Sequence, residues 1–378
     1  MMTSASSEAD AFAAILRGEL VPWPALRMSP CAFLGSCHDQ GLTGLVYART
    51  LARRTAGDWP RAVLDGLANE VRARTAHDLL RRAEVNMVLH GLATAGVPVV
   101  LLKGTPLAYS LYPMPSARPR VDTDLLVPRH QVDRLRETMA GMGYETPLFC
   151  DGELLFCQFP LQRTDAFGVV HRFDCHWRIS TQSVFADVLT FDEVAPRSIS
   201  VPALGEHART LAPVDALLLA CVHPVMHHRN AESLLWLFDV HLLAASLSNE
   251  EFARFTKNAI AKRVAAICAQ QLRAAVSRFG SPIPDAVIRE LTAAGGAEPS
   301  AAYLERGRAW GDELMASVRG LPGWRDRLRL LREVAFPTTA YMRRAYGVEH
   351  QRCGAALLPA LYLHRMVAGG WKVLTGVK

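Results

Sequence analysis

The stretch VVLLKGTPLAYSLYPMPSARPRVDTDLLV, residues 99–127, decides how this chain is read. Its apolar start belongs to a run from Val97 to Leu102 that suits a short strand buried on both faces. Lys103-Gly104-Thr105 follows as a corner into a short helix over 105–112. Pro113, Pro115 and Pro119 make the next connection irregular. Val121 to Val127 then reads as a second strand, and it carries Asp122-Thr123-Asp124. Residues two apart on a strand point to one side, so the two carboxylates are expected to project together. Adjacent carboxylates repel unless a cation neutralises them. Mg2+ suits such a pair, with Mn2+ as an alternative, because it combines one or two carboxylates with substrate phosphates and water. At the corner, Gly104 allows close backbone approach and positive φ, and Thr105 can cap the helix or touch a phosphate. Exposed amides at the helix start favour an anion, and Lys103 offers positive charge to a triphosphate. No GxxxxGK[ST] loop is present.

Working outward, Gln131 to Met142 has helical spacing and ends at Gly143. Residues 153–159 and 168–179 read as paired strands around a turn at Thr164-Asp165. In the second, alternation places Arg172, Asp174, His176 and Arg178 on one face and Phe173, Cys175 and Trp177 on a core face. Asp174 is a candidate third metal ligand or general base. His176 is a candidate to orient Asp174, contact phosphate, shuttle a proton or serve as a structural hydrogen-bonding residue. Arg118 and Arg120, just before the paired acids, are candidates to neutralise a leaving pyrophosphate.

The segments on either side are helical. In residues 1–95, Ser6 or Ser7 can cap a helix holding Phe12, Ile15 and Leu16 and ending at Gly18. Pro60 opens a long helix with Leu64, Leu67, Val71, Leu79, Val85, Val88, Leu89 and Leu92 in register, stopped by Gly96 and Pro98. After Pro213, helices are expected over 215–223, 233–245, 250–279, 285–293, 324–334 and 357–367. Trp236, Trp310, Leu314 and Trp324 read as core. His223, His227, His228 and His241 with Asp239 form a second polar cluster. Without an HExxH pattern it is read as packing against the sheet, with one histidine near the nucleotide. Tyr109 and Tyr112 either stack on a base or anchor the short helix. The fold class is α+β: a small mixed sheet flanked by N- and C-terminal helical regions, divided at 1–85, 86–205 and 206–378.

Composition agrees with a globular chain: 378 residues, 50% hydrophobic and 21% charged. No apolar run is long enough to span a bilayer and no signal peptide opens the chain, so a cytoplasmic location without membrane partners is expected. The eight cysteines include no CxxC, so reduced, mostly buried thiols are expected. A net charge of +6, with Arg325, Arg327, Arg329, Arg332, Arg343 and Arg344 near the C-terminus, admits RNA as a partner. No aromatic-interleaved RNA motif accompanies those arginines.

Taken in order, LLKGTPLAYSLYP, RPRVDTDLLVP, the helix ending in GMGYE, and FDCHWRI resemble the uncharacterised nucleotidyltransferase family of the polymerase-β-like superfamily. The resemblance covers Leu89 to Ile179 and extends more loosely through 221–243 and 335–347. It implies transfer of a nucleoside monophosphate from an NTP such as ATP, with Mg2+, to an acceptor it does not identify. Gly104-Thr105 corresponds to the glycine motif, with Thr in place of Ser or Gly. Asp122 and Asp124 correspond to the paired acids, Asp174 to the third, and Lys103 beside the glycine is characteristic of the family. An RNA-directed transferase and a catalytically inactive nucleotide sensor are the alternatives.

Overall fold

A computed structural model describes residues 4–53, 58–147, 156–305, 310–321, 323–348 and 356–375. One mixed sheet of six strands lies at the centre, in the order β3-β4-β2-β1-β6-β5. The strands are β1 (Val100–Leu102), β2 (Thr123–Leu126), β3 (Gln158–Thr164), β4 (Val170–His176), β5 (Ile199–Ser200) and β6 (Arg209–Thr210). β1 runs antiparallel to β2, and β2 runs parallel to β4 with Asp124 opposite Asp174 and Leu126 opposite His176. This is the expected α+β architecture, a mixed sheet between helical regions.

The two sides of the sheet differ in chemistry. On one, Leu101, Leu125, Phe159, Leu161, Phe173 and Cys175 pack against Val85, Val88, Leu89 and Leu92 of the long helix Arg61–Thr94 and against Leu135 and Met139 of the helix Val132–Gly141. On the other, Val100, Leu102 and Leu126 join a larger core built from the N-terminal helices and the helices after Pro213. Asp124, Asp174 and His176 share this second side. The long helix crosses residue 85 without a break: Val63 and Leu67 belong to the larger core, and Val85 to Leu92 to the smaller.

Several boundaries depart from the sequence reading. The first helix starts at Ser4, so Ser6 and Ser7 lie inside it, while Gly18 ends it with φ 81° as expected. Leu79 projects into solvent from the long helix. β2 starts at Thr123, leaving Val121 64% exposed and Asp122 just ahead of the strand, because pairing with β4 begins at Thr123 opposite Phe173. The hairpin strands are β3 and β4 rather than 153–159 and 168–179, and residues 153–155 lie outside the described ones. Pro224 leaves the helix Pro213–His228 continuous, whereas the single helix expected over 250–279 is split into Asn249–Ala261 and Ala265–Phe279. The split falls at Arg263, with φ 57°, where neither Gly nor Pro marks it. β5 and β6 are too short for periodicity to reveal, and β6 is tied to β1 by Thr210 Oγ1, which donates to the Leu101 carbonyl at 2.9 Å. Trp324 is 67% exposed rather than core and Leu314 is half-buried, while the Trp310 side chain lies outside the described residues. Five of the six described cysteines are buried and Cys31 is exposed; all six are free thiols, and Cys150 and Cys353 lie outside the described residues. Among the described residues no helix is long and apolar enough to cross a membrane.

One buried polar knot joins the sheet corner to the C-terminal helices. Arg118 donates from Nε to Asp239 Oδ1 at 2.9 Å and from Nη2 to Oδ2 at 2.6 Å, and Tyr112 Oη donates to the same carboxylate at 2.6 Å. Asp239 lies on the helix Leu234–Ala245, and all three side chains are buried. Removing one member of a buried ion pair leaves the other charge uncompensated. Asp239→Ala is therefore expected to cost about 3–5 kcal/mol of stability, and Tyr112→Phe about 1 kcal/mol, both measured by urea denaturation.

Candidate active site

The corner after β1 brings the candidate residues together. Lys103, rather than Gly104, takes the left-handed backbone, with φ 54° and ψ −129°. A non-glycine residue there costs on the order of 1–3 kcal/mol and persists only where its surroundings enforce it. Gly104 instead supplies close approach, since a Cβ at this position would run into the Arg118 guanidinium. Thr105 is buried and stitches the corner to the start of β2: its Oγ1 donates to the Asp122 carbonyl at 3.3 Å and lies 3.1 Å from Thr123 Oγ1.

The strained corner aims Lys103 across the sheet. Its Nζ donates to Asp124 Oδ1 at 2.7 Å, and His176 Nε2 lies 2.9 Å from the same oxygen. An ionised carboxylate only accepts, so the proton belongs on Nε2 of His176; Nδ1 is buried and without a hydrogen-bond partner. Ligand atoms of Asp124, Asp174 and His176 all lie within 4.8 Å of one another. Asp122 stands half-buried at the rim of this group, near enough for Asp124 and Asp174 to act on its charge.

The carboxylates divide into two electrostatic kinds. Burial alone would raise Asp124, but the Lys103 ammonium and the His176 hydrogen bond hold it well below the ordinary carboxylate range. Burial, then repulsion from Asp124 and Asp174, pushes Asp122 up to about 6. Asp174 is raised by burial and then by Asp124. Burial and the neighbouring Lys103 lower His176, so its ring is neutral near pH 7. The site thus sets three carboxylates against one ammonium and a neutral imidazole.

Arg118 and Arg120 are engaged elsewhere. Arg118 faces Asp239, while Arg120 pairs with Asp78 at 2.9 Å and lies over the Tyr109 ring at 5.1 Å. Both guanidiniums therefore brace the segment that leads into β2. Tyr109 and Tyr112 act as anchors in the same segment. The histidine cluster also sorts itself. His223, His227 and His228 come together, with centroids of His223 5.4 and 4.9 Å from the other two. His241 instead bonds Ser281 Oγ at 2.9 Å and packs on Phe238 and Phe279. Asp239, grouped with these histidines in the sequence, belongs to Arg118. Sequence spacing held no signal for that pair, because its partners lie 121 residues apart.

Comparison with known proteins adds the family. No curated protein matches the chain. A family model described as uncharacterised nucleotidyltransferase matches residues 29–280, about two thirds of the chain. The match starts well before the Leu89 boundary of the sequence resemblance and stops before the 335–347 segment. It takes in the corner, both sheet acids, the hairpin and the histidine cluster, and the chain therefore belongs to this family of uncharacterised nucleotidyltransferases.

Proposed function

We propose that the protein moves a nucleoside monophosphate from an NTP to a hydroxyl or phosphate acceptor on a small molecule, peptide or saccharide, with Mg2+ or Mn2+. The observation that carries this reading is the gathering of Asp122, Asp124 and Asp174 around Lys103 at the Gly104 corner. The donor set suits a divalent cation on its own chemistry: three carboxylates, with Asp122 and Asp174 raised by burial and then by repulsion between the acids, which the single ammonium does not balance. Asp122 and Asp124 would hold it, with Asp174 as a third ligand or as the general base. When bound, such an ion neutralises phosphate charge and polarises the phosphorus under attack.

The remaining steps belong to the chain. Lys103 leaves Asp124 for the phosphates and follows the negative charge as pyrophosphate departs. The acceptor oxygen forms its bond to the α-phosphorus as the bond to the bridging oxygen breaks. Asp174, whose carboxylate is more basic than Asp124's, accepts the acceptor's proton. His176 keeps Asp124 oriented through Nε2–H. Thr105 and Gly104 hold the corner in the shape that delivers Lys103.

Two outcomes follow. Asp122→Asn and Asp124→Asn should each lower transfer of labelled NMP by about a hundredfold or more, while far-ultraviolet circular dichroism stays native. Wild-type turnover in either variant would reject the site. The second concerns pH. Asp122 titrates at about 6 in the folded chain against 3.8 ordinarily. Between these values the folded state binds more protons than the unfolded, so stability without metal falls as pH rises through this window. Asp174 shifts in the same direction. A divalent cation binds the ionised forms and offsets the loss. The rise in melting temperature caused by Mg2+ is therefore expected to be larger at pH 7.5 than at pH 5, and to shrink in Asp122→Asn.

A further inference from the structure

Trp236 is the feature that the core does not absorb. It sits on the helix Leu234–Ala245 between Leu235 and Leu237, which are both buried. Its own indole is only half-buried and belongs to neither hydrophobic core. The His228 ring covers one face at a centroid distance of 4.2 Å and a tilt of 32°, and His223 meets the indole edge-on at 5.5 Å and 80°. His228 is the last residue of its helix and is exposed, followed by Arg229 and Asn230 with φ 50° and 55°. It is thus a planar, solvent-exposed group lying on the indole at the end of its helix.

This ring stack opens onto the proposed phosphate site. Trp236 and His223 line a cavity of about 40 Å³ together with Lys103, Pro106 and Leu107. That volume admits water but not a nucleobase, so a base would have to lie on the outer, solvent-facing side of the stack. His223 Nδ1 is buried without a hydrogen-bond partner. Burial, and after it the nearby Lys103, keeps His223, His227 and His228 neutral at pH 7. The stacked rings are therefore neutral, and the lysine already assigned to phosphate, paired with Asp124, lines the same cavity. Other rings around the sheet are taken: Tyr109 lies under Arg120, Tyr112 bonds Asp239, and Trp177 lies under Arg129.

From this arrangement we infer that Trp236 is the stacking platform for the nucleobase of the NTP, and that the base takes the place His228 holds on the indole. His223 lies at the edge of the platform, where its unpartnered nitrogen can meet a base edge. The inference rests on the proposed nucleotidyl transfer and adds where the base goes. A ring contact of this kind tolerates any base, so discrimination among NTPs falls to the imidazoles at its edge.

Titration calorimetry with Mg2+ separates the possibilities. The ligands are an NTP and inorganic tripolyphosphate, which has no base. The proteins are wild type, Trp236→Leu and Trp236→Phe. Leu keeps apolar bulk without a ring, and Phe keeps a ring. The expected result is an NTP affinity about ten- to a hundredfold weaker in Trp236→Leu, with a much smaller loss in Trp236→Phe. Tripolyphosphate affinity should be equal in all three. Equal NTP affinity in wild type and Trp236→Leu, or equal loss for NTP and tripolyphosphate, would overturn the platform and leave nucleotidyl transfer standing. Wild-type protein that binds tripolyphosphate and no NTP would overturn both. Should Trp236→Leu lose its native near-ultraviolet spectrum, quenching decides: NTP quenches wild-type indole emission, tripolyphosphate does not, and Trp236→Phe lacks the NTP response. An unchanged NTP response in Trp236→Phe contradicts the inference.

Discussion

The ion pair between Lys103 and Asp124 organises this molecule. It sits between adjacent antiparallel strands, at the point where β1 ends and the chain turns. Everything nearby acts to place it. The left-handed backbone at Lys103 aims the side chain, Gly104 lets the Arg118 guanidinium approach, and Thr105 ties the corner to β2. Without a partner, a carboxylate as buried as Asp124 would be driven towards its neutral form. With Lys103 and His176 on one oxygen it stays ionised, and its repulsion adds to the burial that raises Asp122 and Asp174. A lysine held in this way is a resident counter-charge. It keeps the acidic site folded and can yield when a stronger cation and a polyanion arrive together.

The helical regions give this pair its setting. The long helix and the helix Val132–Gly141 cover the far side of the sheet and leave the acidic side to face the helices after Pro213. Arg118 and Asp239 bind the corner segment to those helices, and Arg120 and Asp78 bind it to the long helix. Sheet, corner and C-terminal helices are thereby joined by buried charge pairs close to the proposed chemistry, so the cavity beside Lys103 has a defined wall.

The central motif was legible because its signals are local. A continuous apolar run, a Lys-Gly-Thr corner and alternating polar residues in FDCHW each report on a few adjacent positions, and the sheet places Asp124 beside Asp174 as that pattern implies. Details that depend on pairing were less legible. Asp122 read as a strand residue because Val121 is apolar, yet the neighbouring strand starts opposite Thr123. Positive φ was expected at Gly104 because glycine adopts it freely, but the strain sits on Lys103, where the Asp124 contact holds it. Arg118 looked like a phosphate ligand from its position, and only folding shows Asp239 against it. Trp236 looked like core amid leucines, because sequence does not show which side of a short helix meets a cleft.

The most direct measurement is a crystal structure with Mg2+ and a non-hydrolysable NTP analogue. The account predicts Lys103 Nζ withdrawn from Asp124 Oδ1 and bonded to a phosphate oxygen, with the freed carboxylate turned to the cation. A nucleotide bound elsewhere, with the Lys103–Asp124 pair intact, would contradict it.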